Sequence, residues 1–212
     1  MPTVRALALL RHVPRPQLQT SAAASMLIVP DTIVLPGARM RPWHATDAPA
    51  LAAAFARNDA HLRRWTPWVI DGRVPGQSLS DRLAAHAAAF HEGREWVYGI
   101  VDTREDDETA HEARTGAVLG GCGLYPRIGP AAVEIGYWLA VEAMGRGLAT
   151  AAAEALVRVA FGNDTVERVE IRCAPGNVAS ARVPARLGFR HVGSLTEPAG
   201  IVDVWVRTRL DG

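Results

Sequence analysis

Apolar residues recur at helical spacing most clearly after residue 147. Leu148, Ala152, Ala155, Leu156 and Val159 make one stripe, and Glu154 and Arg158, four apart on the outer face, can pair. Gly162-Asn163-Asp164 then supplies a stop. On both sides of this helix the pattern changes to alternation. Before it, Val133, Ile135, Tyr137 and Leu139 share one strand face, and Glu134, Gly136 and Trp138 share the other. After it, residues 166–174 alternate and are rich in β-branched side chains, which predicts a second strand. The unit is strand–helix–strand. Elsewhere the pattern predicts a strand within residues 33–43, broken near Pro36-Gly37. A helix should follow over residues 47–56, capped by the Asp47 carboxylate, and a second over residues 80–92. Further strands are expected near residues 95–101, 117–125, 131–140, 190–195 and 201–210.

Composition narrows the picture. The chain has 212 residues, enough for one well-buried domain and short for two, and it shows no internal repeat. Hydrophobic residues make up 49% and the formal net charge is +1, so neither disorder nor a broad nucleic-acid footprint is indicated. No apolar run reaches the length of a membrane-spanning helix. Cys122 and Cys173 both fall in predicted strands and read as buried free thiols of a cytoplasmic protein rather than as a disulfide. His86 and His91 are five apart, off a common helix face, and no CxxC or HExxH occurs, so no metal is expected. Residues 1–25 carry Arg5, Arg11, His12 and Arg15, three prolines and no acid. They read as a flexible extension, or as a start placed upstream of Met26, with a targeting or docking arm as the alternative; the folded domain is expected over residues 26–212. Residues 102–114, with Glu105-Asp106-Asp107-Glu108, read as a solvated insertion between two strands.

The helix start carries the chemistry. Gly145, Arg146, Gly147, Leu148, Ala149 and Thr150 open it, so several backbone N–H groups there lack intrahelical partners and the helix dipole adds positive charge. A phosphate or pyrophosphate fits such a place. Glycine alone says little, because tight turns use it for ordinary reasons. A P-loop lacks its lysine here, and a GxGxxG dinucleotide loop would find Thr150 where its third glycine belongs.

These residues resemble the GNAT-type acyl-CoA-dependent N-acetyltransferases. Their pyrophosphate pattern, Gln/Arg-x-x-Gly-x-Gly/Ala, is matched by Met144-Gly145-Arg146-Gly147-Leu148-Ala149 with Met in the first place. That departure touches one side chain of a loop that works mainly through backbone N–H groups. Asn177-Val178-Ala179-Ser180 and Arg186-Leu187-Gly188-Phe189 look like the family's N-x-x-A/S and LGF segments. His61-Leu62-Arg63-Arg64-Trp65-Thr66-Pro67-Trp68 looks like the HLRxWxPW segment of the RimJ/RimL-like branch, which includes enzymes acetylating N-terminal amines of ribosomal proteins. The resemblance covers about residues 32–210. It implies an α/β fold, a GNAT-like single domain with a mixed, twisted, splayed β-sheet flanked by helices. It implies acetyl-CoA as co-substrate, held at residues 145–150. The strand ending at Leu139 would splay from the next one, and free backbone groups near Leu139 and Val141 would meet the pantetheine arm. Asn177 would hydrogen-bond the cofactor, with a turn residue after Pro175-Gly176 as its alternative.

Acetyl transfer to an amine needs orientation, loss of the ammonium proton and a hydrogen bond to the developing oxyanion. An α-amine titrates near about 8 and a lysine near about 10.4, so the former needs less help from a base. Glu134, beside the space left by Gly136, is the candidate base; a structural or substrate-binding carboxylate is the alternative. Many GNAT enzymes carry a tyrosine seven residues after the asparagine, thought to protonate the departing thiolate. Here that place is Pro184, and Ser180 is the candidate substitute, with a helix N-cap as its other reading. Trp65 and Trp68 are candidate walls of the acceptor site, or core residues. Asp203 could hold an ammonium acceptor or pair with an arginine. The expected activity is acetyl-CoA-dependent N-acetylation, with the N-terminal α-amine of a protein or peptide as preferred acceptor. A small amine, such as an aminoglycoside or polyamine, is one rival acceptor; a non-catalytic acyl-CoA-binding module is a rival of another class. The expected partners are acetyl-CoA and the amine acceptor, with no direct nucleic acid or membrane; a homodimer is left open.

Overall fold

Among the described residues, eight strands form one open sheet in the order β1-β2-β3-β4-β5-β6-β8-β7. They are β1 (Ile33–Leu35), β2 (Ala38–Pro42), β3 (Trp96–Asp102), β4 (Val118–Tyr125), β5 (Ala132–Leu139), β6 (Arg168–Cys173), β7 (Arg190–Glu197) and β8 (Gly200–Thr208). Four helices accompany them: α1 (Ala48–Trp65), α2 (Leu79–His91), α3 (Leu148–Phe161) and α4 (Val178–Arg186). This computed structural model describes residues 27–66, 77–103, 116–198 and 200–211. The expectations for residues 1–25, for Trp68 and for most of the acidic insertion lie outside the described residues. No helix among them is long and apolar enough to cross a membrane.

Neighbouring strands are antiparallel except β5 and β6, which run parallel because α3 crosses between them. The odd face of β5 and β6 (Val133, Ile135, Val169, Ile171) packs with Leu148, Ala152 and Leu156 of α3 and Val183 of α4. The other face of β3 and β4 packs, through Val97 and Val118, against Leu51, Phe55 and Leu62 of α1 and Leu83 of α2. Cys122 and Cys173 are buried free thiols, and the Glu154–Arg158 pair forms at 3.3 Å.

Two helix starts differ in their chemistry. At α2, the Ser78 hydroxyl accepts from the Asp81 N–H (3.1 Å) while the Asp81 carboxylate accepts from the Ser78 N–H (3.1 Å), a reciprocal capping box. At α1, Asp47 does not cap the helix with its side chain. Its carboxylate instead takes two bonds from the Arg41 guanidinium, 2.7 Å each, and one from the His44 N–H at 2.8 Å. α1 also runs on to Trp65 instead of ending near residue 56. The polar run Arg57-Asn58-Asp59 imitates a stop. Asn58 is buried, however, and donates to the Ala54 carbonyl (2.9 Å), while Arg63 pairs with Asp59 one turn away (2.9 Å).

Candidate active site

β5 and β6 pair only from Ala132–Arg168 to Ile135–Ile171, although both strands continue beyond. Past that pair β6 stays with β8 as far as Cys173–Asp203, and β5 stays with β4 as far as Leu139–Gly120. The sheet is therefore split between them. The Ala140 N–H donates to the Leu119 carbonyl on β4 (2.8 Å). Alternation along the strand then turns the backbone groups of Leu139 and Tyr137 away from β4 and into the split. Ala131, in the same phase, confirms this direction by accepting from the Glu167 N–H on the β6 side (2.8 Å). The backbone groups of Leu139 thus face the split, whereas those of Val141 are engaged: its N–H donates to Asn58 Oδ1 (2.7 Å) and its carbonyl accepts from the Met144 N–H (3.1 Å).

The wide end of the split meets the start of α3. Gly145 and Gly147 both take left-handed backbone conformations (φ 74° and 78°), and a methyl added at either would meet no atom within 4 Å. The conformation requires glycine, and the space above is open. The first bond closing the helix runs from the Ala151 N–H to the Gly147 carbonyl (3.0 Å), so the N–H groups of Leu148, Ala149 and Thr150 precede it. Arg146 is half-buried beside them. This cradle fits a pyrophosphate.

On the opposite side of β5 lies a cavity of about 260 Å³ walled by Trp43, Phe55, Tyr125 and Trp138, and bordered by Gly136 and Tyr137. Its floor includes Gly121 and Gly136, part of a patch of glycines that share one sheet face and lie opposite one another, Gly99 with Gly121 and Gly123 with Gly136. A methyl at Gly99 would stand 2.9 Å from the Trp43 ring, at Gly121 2.7 Å from Trp138 Nε1, and at Gly136 3.2 Å from the Tyr125 ring. The rings lie flat on the backbone because nothing projects from it. Trp65 does not line this cavity; it ends α1 with the Arg64 guanidinium 4.6 Å from its ring centre. Glycines within predicted strands were the available signal for the floor.

Charged groups meet the cavity at its edges. Arg82, His86, Glu95 and Arg127 contribute to its lining. Burial pushes the His86 imidazole down and the nearby Arg82 charge adds to this, which keeps it neutral near pH 7. Glu134 is buried on the same sheet face, next to the cavity. Both its oxygens are held by Arg127, at 3.0 and 2.7 Å, and the Arg127 guanidinium also lies 4.4 Å from the Tyr125 ring centre. Beyond it Glu170 bridges to Arg168 (3.2 Å) and Arg172 (2.8 Å), and Arg172 reaches Glu197 (2.6 Å).

The remaining candidates cluster on the α4 side. Asn177 caps α4, its Oδ1 accepting from the Ser180 N–H (3.1 Å), so Ser180 sits in the first turn and is not itself the cap. Tyr137 reaches across the split to this turn, donating to the Ser180 carbonyl (3.0 Å) and accepting from Ser180 Oγ (3.1 Å). Asp203 accepts from Ser194 Oγ (2.7 Å) and lies 3.7 Å from His191 Nε2. It pairs across the strands with Cys173, whose face packs on α3 and α4, so it stands on the face opposite the aromatic cavity.

Fold and site together set a glycine-built helix start and a split sheet beside an aromatic cavity, on the two sides of one strand. The acetyltransferase (GNAT) domain family matches residues 38–190, and the chain belongs to that family. YdaF of Bacillus subtilis (strain 168), a candidate ribosomal N-acetyltransferase by name, is 47% identical over 60 residues, 28% of this chain and 33% of its own length. YjcK of the same organism, named a probable N-acetyltransferase, is 25% identical over 168 residues, 78% of this chain and 87% of its own. The chain spans between a third and a half of the length of YdaF and of YkkB, another relative from that organism. Among solved structures, the ribosomal L7/L12 α-N-protein acetyltransferase RimL in complex with coenzyme A superposes with a TM-score of 0.67 at 20% identity, covering 83% of this chain and 96% of that one. That likeness establishes the fold.

Proposed function

We propose that the protein transfers the acetyl group of acetyl-CoA to a primary amine, with the N-terminal α-amine of a protein or peptide as preferred acceptor. The observation that carries this reading is the split after Ile135–Ile171, open to a glycine-built helix start at one end and bordered by a separate aromatic cavity. The pyrophosphate rests on the N–H groups of residues 145–150, and the arm follows the backbone of Leu139 and Tyr137 down the split. Asn177 holds the turn of α4 against that arm. The acceptor's first residue enters the cavity, and the names of RimL and YdaF favour a protein N-terminus over a small amine. Glu134 takes the ammonium proton once Arg127 releases one carboxylate oxygen.

The test is thiol release from acetyl-CoA in the presence of N-terminal peptides and, separately, small amines. Release that depends on a peptide supports the reading. Release with polyamines or aminoglycosides alone replaces the acceptor, and acetyl-CoA binding with no release from any acceptor leaves only an acyl-CoA-binding module. Glu134→Gln should lower kcat by about 10²-fold or more while coenzyme A still binds, the range for loss of a general base.

A further inference from the structure

Amide formation in this site leaves a thiolate in the split, and a thiolate leaves more readily when a proton reaches it. Resting on the transfer reading above, we propose that the Tyr137 phenol donates that proton and that the Ser180 hydroxyl stabilises the phenolate it becomes.

Position is the first argument. A phosphate held at the start of α3 fixes one end of the acyl arm at the wide mouth of the split, and the arm can run only toward the closed end at Ile135–Ile171. Gly136 and Tyr137 are the next residues of β5 beyond that end. Tyr137 also borders the aromatic cavity, while its phenol crosses the split to the first turn of α4, so the residue flanks the path of a thioester lying in the split.

Hydrogen bonding is the second argument. The Tyr137 hydroxyl is fixed from two directions by one residue, donating to the Ser180 carbonyl (3.0 Å) and accepting from Ser180 Oγ (3.1 Å). The bond from Ser180 Oγ strengthens as negative charge develops on the phenol oxygen, which is the arrangement an acid needs. Rotation about the Cζ–Oη bond frees the phenol proton from the carbonyl without breaking the bond from Ser180 Oγ. Burial pushes the Tyr137 phenol well above its ordinary value, and the Ser180 bond only partly offsets this. The group therefore stays protonated at about pH 8, where an α-amine acceptor turns neutral.

The step balances without a further reactant. The amine nitrogen attacks the thioester carbonyl carbon, a C–N bond forms, and the C–S bond breaks with its electron pair going to sulfur. The phenol proton passes to sulfur, giving free thiol and a phenolate held by Ser180. The proton lost by the amine returns to the phenolate through solvent. The net change is amine plus thioester to amide plus thiol.

Tyr137→Phe should lower kcat by about 10²-fold with the acetyl-CoA Kd within twofold of the unsubstituted protein, since general-acid loss typically costs 10²–10⁴-fold. A second variant places 3-fluorotyrosine, a more acidic phenol of nearly the same shape, at position 137. Its kcat should fall on the alkaline side at a pH where the unsubstituted protein still holds its full rate. A merely structural phenol would leave the alkaline limb unmoved. Tyr137→Phe with kcat within threefold of normal, or an unmoved limb in the fluorotyrosine variant, overturns the assignment even if the other variant fails to fold. If the unsubstituted protein assayed alongside releases no thiol with any amine, the transferase reading falls and this one falls with it. Activity there with no loss in the variants removes Tyr137 alone.

Discussion

Gly121 shows how one missing side chain shapes the acceptor side. A methyl there would lie 2.7 Å from Trp138 Nε1 and 3.3 Å from the Tyr98 carbonyl, and the latter, being backbone, cannot move aside. Trp138 would have to lift off the sheet toward Phe55, whose ring centre is 5.4 Å away. Gly121→Ala is therefore expected to destabilise the fold by about 1–3 kcal/mol, the usual range for overpacking. It should also raise the KM for the acceptor more than that for acetyl-CoA, because the crowded ring walls the cavity and not the cradle at Gly147. Steady-state kinetics with each substrate varied in turn, beside a thermal melt, would check both. Equal rises in the two KM values would show that the cavity does not receive the acceptor.

At the scale of elements, the start of α1 depends on an ion pair where a side-chain cap was expected. Arg41 and Asp47 are both buried, and their bidentate contact ties the end of β2 to the turn entering α1. Asp47→Asn leaves the Arg41 charge without its partner in a buried place and should cost about 3–5 kcal/mol, read by denaturant titration. The acid dependence has a definite sign. Burial alone would push the Asp47 carboxyl up, but the Arg41 guanidinium and the His44 amide outweigh it, and the group lies below its ordinary value. Its stabilising contribution is thus complete above about pH 4, the unfolded value, and is lost as pH falls through the lower folded value. Asp47→Asn should flatten the acid side of the stability curve; an unchanged curve would show that the pair contributes nothing. The length of α1 was hidden from the sequence for a related reason. Asn58 looks like a helix breaker until its partners are known, and one of them, Val141, is far away in the chain. By contrast the Leu148–Val159 stripe is local, and it placed α3 nearly to the residue; the Ser78–Asp81 box that starts α2 is equally local.

For the molecule as a whole, the legible parts were those written in contiguous residues. The β5–α3–β6 unit and the glycine-built helix start at Gly145–Thr150 follow from spacing, whereas the splay of the sheet was implied by the resemblance of residues 144–149 and 177–189 to the family's segments. The aromatic cavity was not legible, because Trp43, Phe55, Tyr125 and Trp138 come from four separate stretches and meet only when the sheet assembles. The Tyr137–Ser180 contact was equally hidden, since its members lie on β5 and α4 and neither residue type announces the other. The two sides of the site are also joined in a way that no single segment reveals. Asn58, buried on the helix that walls the cavity, accepts from the Val141 N–H just before the cradle, and Arg57 lies 3.5 Å from Glu142 alongside it. A helix shifted by an occupant of the cavity would therefore shift the loop that receives the pyrophosphate. Acetyl-CoA affinity should then differ with and without a bound acceptor, by a factor in the range of about 5–150 common for coupled sites. In Asn58→Ala that factor should fall toward one, while the unpaired Val141 N–H costs about 1–3 kcal/mol of stability. Calorimetric titrations of acetyl-CoA, with an unreactive acceptor analogue present or absent, would measure it; a factor unchanged by the substitution would sever the link. If the link holds, reciprocity follows: acetyl-CoA must alter the acceptor's affinity by the same factor, so one carboxamide makes the two ligands thermodynamic effectors of each other whichever arrives first.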